Sequence, residues 1–171
     1  MSFRFLHDLD WVKQLSLLNP NELERSCLEN KEFTTQLVQR YFGQLQSVEI
    51  LFNGIGRLHR HEESVVGSPF SGIREVCLSV ADNPWMLART VCTENCLLEI
   101  SAEPGPLGIY LANCGYGRTS IEYAVAENFS YQGVSSKAYL RRNKWSLEHG
   151  PDIMVMEIFL RCLDFNPVDP H

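Results

Sequence analysis

Glu157 stands alone among apolar neighbours. Residues 153–160 read Ile-Met-Val-Met-Glu-Ile-Phe-Leu, and seven of the eight are apolar. A run of this length and composition is a buried strand. A carboxyl group inside such a strand loses its water and must be paired or become neutral. Glu157 is therefore either half of a structural ion pair or the working group of a closed site. Two arginines in strand-like stretches are its candidate partners. In residues 73–80, Arg74 alternates onto the same face as Val76, Leu78 and Val80. In residues 85–91, Arg89 alternates with Trp85, Leu87 and Val91. Two arginines directed with apolar residues in adjacent hairpin strands suggest a buried anion. The plainer alternative is that they pair with internal acids such as Glu157, because buried charges need partners in any case.

The elements that must position these groups follow from local pattern. Asn19-Pro20 followed by Glu22 and Glu24 predicts a helix start, with Asn19 as N-cap and Pro20 in the first position. Phe33, Leu37 and Tyr41 recur at helical spacing over residues 31–42, so two short helices form a hairpin able to lie over a sheet as a flap. Strands are expected at 48–53, 73–80, 85–91, 120–128, 137–147 and 153–160. The short connections between most of them favour antiparallel pairing. The basic stretch with Arg141, Arg142 and Lys144 reads as a solvated hairpin strand rather than a nucleic-acid surface. Residues 58–63 read as polar and exposed, and His59 and His61 lack a third metal ligand. Residues 107–112 form a helical turn whose free N–H groups, near Leu107 and Gly108, suit a carboxylate. The class is α+β: a largely antiparallel sheet with helices covering its ligand-bearing side.

Composition sets the outer bounds. The chain has 171 residues, 44% of them hydrophobic, and a formal charge of −6. It is expected to form a single domain over residues 1–171. The negative balance argues against nucleic acid or an anionic membrane, while leaving room for a small anion held by local arginines. Acids within the first ten residues, and no apolar window of spanning length, point to a cytoplasmic protein. The six cysteines show no paired-ligand spacing and are expected to be free, mostly buried thiols. Nothing in the pattern demands a dimer, so a monomer is the default.

The same residues, in order, resemble chorismate pyruvate-lyase (4-hydroxybenzoate synthase). They are Arg74-Glu75, Pro84-Trp85-Met86-Leu87-Ala88-Arg89-Thr90-Val91, Pro106-Leu107-Gly108-Ile109-Tyr110-Leu111, Arg141-Arg142 and Glu157-Ile158-Phe159-Leu160. The resemblance covers about residues 20–162. It implies a six-stranded antiparallel sheet with helical flaps enclosing an internal ligand. It also implies a lyase that converts chorismate to 4-hydroxybenzoate and pyruvate with no metal or organic cofactor, and that feeds ubiquinone or a similar aromatic pathway. Mapped onto this chain, it implies that Arg74 holds the ring carboxylate, helped by the backbone N–H groups of Leu107 and Phe33. Glu157 would face the ring hydroxyl, and Arg89 would line an adjoining part of the pocket for the enolpyruvyl carboxylate. Met86, Ile109 and the His/Glu-rich segment before residue 73 depart from the pattern, which leaves substrate choice open. Two other functions remain compatible: a lyase making a different hydroxybenzoate, and a non-catalytic aromatic-carboxylate sensor of the same fold.

Overall fold

Alternation between apolar and polar residues, punctuated by tight turns, builds one sheet. The structure, a computed structural model, describes residues 3–29, 47–80, 83–102 and 107–160. The strands are β1 (Ser47–Arg57), β2 (Phe70–Val80), β3 (Asn83–Cys92), β4 (Gly117–Tyr131), β5 (Val134–Ser146) and β6 (Ile153–Phe159). They lie in the order β1-β2-β3-β6-β5-β4, and every neighbouring pair is antiparallel. The architecture is thus α+β, as the sequence predicts. Strand β6, the last in sequence among the described residues, inserts between β3 and β5, which explains its unbroken apolar run: all seven of its residues are buried. The β4–β5 hairpin closes through Gln132 and Gly133, with φ of 47° and 79°. Positive φ at both central residues matches the right-handed twist of the flanking strands.

Four α-helices accompany the sheet among the described residues: α1 (Glu22–Glu29), α2 (Arg60–Val66), α3 (Glu94–Ala102) and α4 (Leu107–Asn113), with 3-10 helices at Phe3–Asp8 and Leu15–Leu18. On one face, Cys27 and Leu28 of α1 pack with Val76, Ala88, Tyr123, Tyr139 and Phe159. Towards the other end of that face, α3 and α4 bring Leu97, Ile100 and Leu111 against Trp145, Ile153 and Val155. Gly72 permits the approach of α3, because a Cβ there would lie 2.7 Å from Leu97 Cβ. On the opposite face, Phe3 and Leu6 cover Leu87, Val91, Leu140, Met156 and Ile158.

Three local expectations are corrected. The α1 cap is Asn21, not Asn19. The Glu24 N–H donates to Asn21 Oδ1 (2.9 Å), and the Asn21 N–H donates to Glu24 Oε2 (2.7 Å). That reciprocal box outcompetes the Asn-Pro signal, and Asn19 instead ends the preceding 3-10 helix with φ 51°. Residues 58–63 are not an exposed polar stretch. They open α2, where the His59 N–H donates to Glu62 Oε2 (2.8 Å) and Glu62 is wholly buried. The basic strand β5 is not solvated either: Arg141, Arg142 and Asn143 are buried. Helix α3 has no counterpart in the pattern of the sequence. Cys27, Cys77, Cys92 and Cys96 are buried free thiols, and Cys114 is exposed. The expected second helix over residues 31–42 lies outside the described residues.

Glu62 ties α2 to the sheet. It accepts from Arg89 Nε (2.6 Å) and Nη2 (3.0 Å), and it lies 3.1 Å from His7 Nε2. Hydrogen bonds from His7 and Arg89 overcome its burial and hold its pKa at about 2. Burial pushes the pKa of His7 down. Both groups bind protons less readily folded than unfolded, so both make stability fall with falling pH. Stability should start to drop below about pH 6.5 through His7. It should drop further below pH 4.5, as the Glu62 contribution, on the order of 3 kcal/mol, is lost towards pH 2. Urea unfolding from about pH 7 to about pH 2 checks this, and His7→Phe should flatten the upper part of the slope.

Candidate functional site

Residues directly opposite one another in an antiparallel pair share a face. Glu157 lies opposite Ala88 on β3 and Arg141 on β5, and Arg141 lies opposite Tyr123 on β4. The adjacent row on the same face runs Arg74, Thr90, Val155, Asn143, Ile121. The row beyond it includes Ile153, Trp145 and Arg118. The face covered by α1, α3 and α4 therefore presents Arg74, Glu157, Arg141, Asn143 and Arg118 together.

Glu157 sits at the centre. Its Oε2 accepts from Arg141 Nε (2.7 Å) and from Asn143 Nδ2 (3.0 Å). Arg141 is 2% exposed, donates through Nη1 to the Leu28 carbonyl (3.0 Å) in the last turn of α1, and lies over the Phe159 ring. A helix end, where carbonyls lack intrahelical donors, thus anchors the guanidinium that orients the carboxylate. Arg74 differs. It is half-buried, burial lowers its pKa, and no described residue forms an ion pair with it. Two strand spacings, about 10 Å laterally, separate its strand from that of Glu157. Arg118 flanks Glu157 from the other side, on β4. A partly desolvated cation with no acid partner among the described residues, on the same face as a buried, hydrogen-bonded carboxylate, is an arrangement that can take an anion carrying a second group for the carboxylate.

Arg74 and Glu157 are thus brought to one face, and Leu107 opens α4 on that same face, packed with the cluster around Trp145. Phe33 lies outside the described residues. Arg89 is corrected: it is neither a partner of Glu157 nor part of this face. It lies opposite Glu75 and Met156, hence on the reverse side from Ala88 and Glu157. There it pairs with Glu62 and Glu75, which satisfy its charge and leave it no vacancy for an added anion. Among the described residues the ion-pair partner of Glu157 is Arg141, one strand over. The alternation Tyr139, Arg141, Asn143, Trp145 in the sequence already sets this arginine among aromatics. The same alternation includes Asn143, whereas Arg118, directly after the Gly115-Tyr116-Gly117 turn, carries no such signal.

A family model described as chorismate lyase matches residues 6–166. The chain belongs to the chorismate lyase family. Among individual proteins, a probable chorismate pyruvate-lyase from Vibrio vulnificus (strain CMCP6) is 29% identical over 118 residues, which make up 67% of this chain and 65% of that protein. The match thus spans just under two thirds of the relative. Two solved structures share the fold. One is the ligand-binding domain of a regulator from Bordetella bronchiseptica assigned to the GntR family of transcription factors. Its TM-score is 0.51 at 10% identity, over 69% of this chain and 86% of that one. The other is the PhnF C-terminal domain, with a TM-score of 0.52 at 9% identity, over 67% of this chain and 82% of that one. No helix among the described residues is long and apolar enough to cross a membrane.

Proposed function

We propose that this chorismate lyase family member converts chorismate to 4-hydroxybenzoate and pyruvate. The observation that carries the reading is the half-buried guanidinium of Arg74, without an ion-pair partner among the described residues, on the same face as Glu157. The ring carboxylate neutralises Arg74, with the N–H groups at the start of α4, Leu107 among them, close to the same side. The ring then extends across β3 towards β6 and places its hydroxyl-bearing carbon near Glu157. Elimination breaks the C3–O bond and releases enolpyruvate, while the proton at C4 departs. Glu157, an acceptor held still by Arg141 and Asn143, receives that proton. The ring becomes aromatic, and enolpyruvate takes up a proton to become pyruvate. Aromatisation supplies much of the driving force, so the protein has to orient the substrate and move one proton. The reaction needs neither a metal nor an organic cofactor.

Incubation of the purified protein with chorismate, followed by chromatography, should give pyruvate and 4-hydroxybenzoate in equal amounts. Pyruvate with another hydroxybenzoate would keep the site and change the regiochemistry. The regulator domains of the same fold favour a second reading, a sensor of aromatic carboxylates. Absence of turnover together with a melting temperature raised by 4-hydroxybenzoate would select it.

A further inference from the structure

We propose that Arg118 receives the enolpyruvyl carboxylate, and so distinguishes chorismate from its single-carboxylate product. This assignment rests on the lyase reading above. Three observations carry it. The Nε of Arg118 is buried and has no hydrogen-bond partner among the described residues. Its guanidinium carbon lies 4.9 Å from the centroid of the Trp145 ring, a contact that holds the group in place but gives Nε no acceptor. Its charge is felt by Arg141, Glu157 and Tyr123, so it borders the catalytic row.

Charge balance explains why such a group is there. In these adjoining rows the sheet sets three guanidiniums, Arg74, Arg141 and Arg118, against the single carboxylate of Glu157. Among the described sheet residues of these rows two positive charges are left over, and two carboxylates are what chorismate brings. Arg141 is committed to Glu157 and the Leu28 carbonyl. Arg74 and Arg118 stand two strands to either side of Glu157. A substrate whose ring carboxylate reaches Arg74 therefore directs its ether substituent, carried on the carbon next to the hydroxyl, towards β4 and Arg118. Burial lowers the pKa of Arg118, a cost of desolvation that an incoming anion would relieve. Once the C3–O bond breaks, the carboxylate on Arg118 leaves with enolpyruvate, and the aromatic product keeps only its hold on Arg74.

The test is a split between substrate and product. Arg118→Gln should raise KM for chorismate about 10- to 100-fold, as expected when a charge-assisted hydrogen bond is removed. It should change the dissociation constant of 4-hydroxybenzoate less than about 3-fold. Arg118→Lys keeps the charge without the planar fork and should fall between wild type and Arg118→Gln in KM, so the assignment stays testable if the glutamine variant does not fold. An unchanged KM in a variant of a turning-over enzyme would remove Arg118 from substrate recognition and leave the lyase reading intact. Parallel loss of 4-hydroxybenzoate binding would show that Arg118 holds the ring carboxylate or merely supports the site, and would also overturn the assignment. If the wild-type protein neither turns over nor binds chorismate, the lyase reading fails and takes this inference with it.

Discussion

Glu157→Gln should abolish most turnover of chorismate while the protein stays folded and still binds 4-hydroxybenzoate. Loss of a positioned proton acceptor costs about 10²–10⁴-fold in rate. The stability cost needs separate treatment, because Glu157 is also the acceptor for the buried Arg141 and Asn143. Removing one partner of a buried ion pair outright costs about 3–5 kcal/mol. Glutamine keeps the shape and one acceptor oxygen, so the expected loss is smaller, about 2 kcal/mol, or roughly 4–8 °C in Tm for a chain of this size. Turnover, Tm and product binding measured on one preparation separate the possibilities. A folded variant with full turnover would remove Glu157 from the chemistry. A variant that cannot fold would make the Arg141–Glu157 pair chiefly structural.

Arg74→Ala should have the opposite profile. It removes a half-buried cation with no ion-pair partner among the described residues, so no buried carboxylate is stranded. Its desolvation cost disappears with it. Tm should therefore hold within about 2 °C or rise, the stability gained when a binding group is removed. Affinity for 4-hydroxybenzoate should fall about 10- to 100-fold, the worth of one charge-assisted hydrogen bond to the ring carboxylate. Calorimetric titration with 4-hydroxybenzoate checks it. Unchanged affinity would remove Arg74 as the holder of the ring carboxylate, and a large drop in Tm would mean that the guanidinium serves the fold.

The contrast between Arg74 and Arg89 shows where local pattern stops. Both alternate with apolar residues, both lie on neighbouring strands, and nothing within either strand separates them. Period-two alternation states which residues of one strand share a face. It does not state which face of one strand matches which face of the next, because a one-residue shift in register exchanges every side chain. The pairing of Ala88 with Glu157 decides it, and with it the fate of Arg89. Similarly, Glu62 reads as solvent-facing in the sequence because its neighbours His59, Arg60, His61 and Glu63 are polar. Its burial depends on Arg89 and His7, 27 and 55 residues away in the chain.

The sequence by itself determined the α+β class, the buried strand around Glu157, the placement of Arg74 with Val76 and Leu78, and, through an ordered set of short segments, the family. These depend on composition and spacing within a few residues, where the chain's own periodicity carries the information. Only the tertiary structure decided that Arg141 and Asn143 hold Glu157, that Arg89 belongs to the reverse face with Glu62 and Glu75, and that Arg118 borders the site with an Nε unsatisfied among the described residues. Each of those facts is a pairing across strands or between a strand and a helix. A buried charge is satisfied by whichever partner the register brings within about 3 Å, the reach of a hydrogen bond, and the register is a property of the whole sheet.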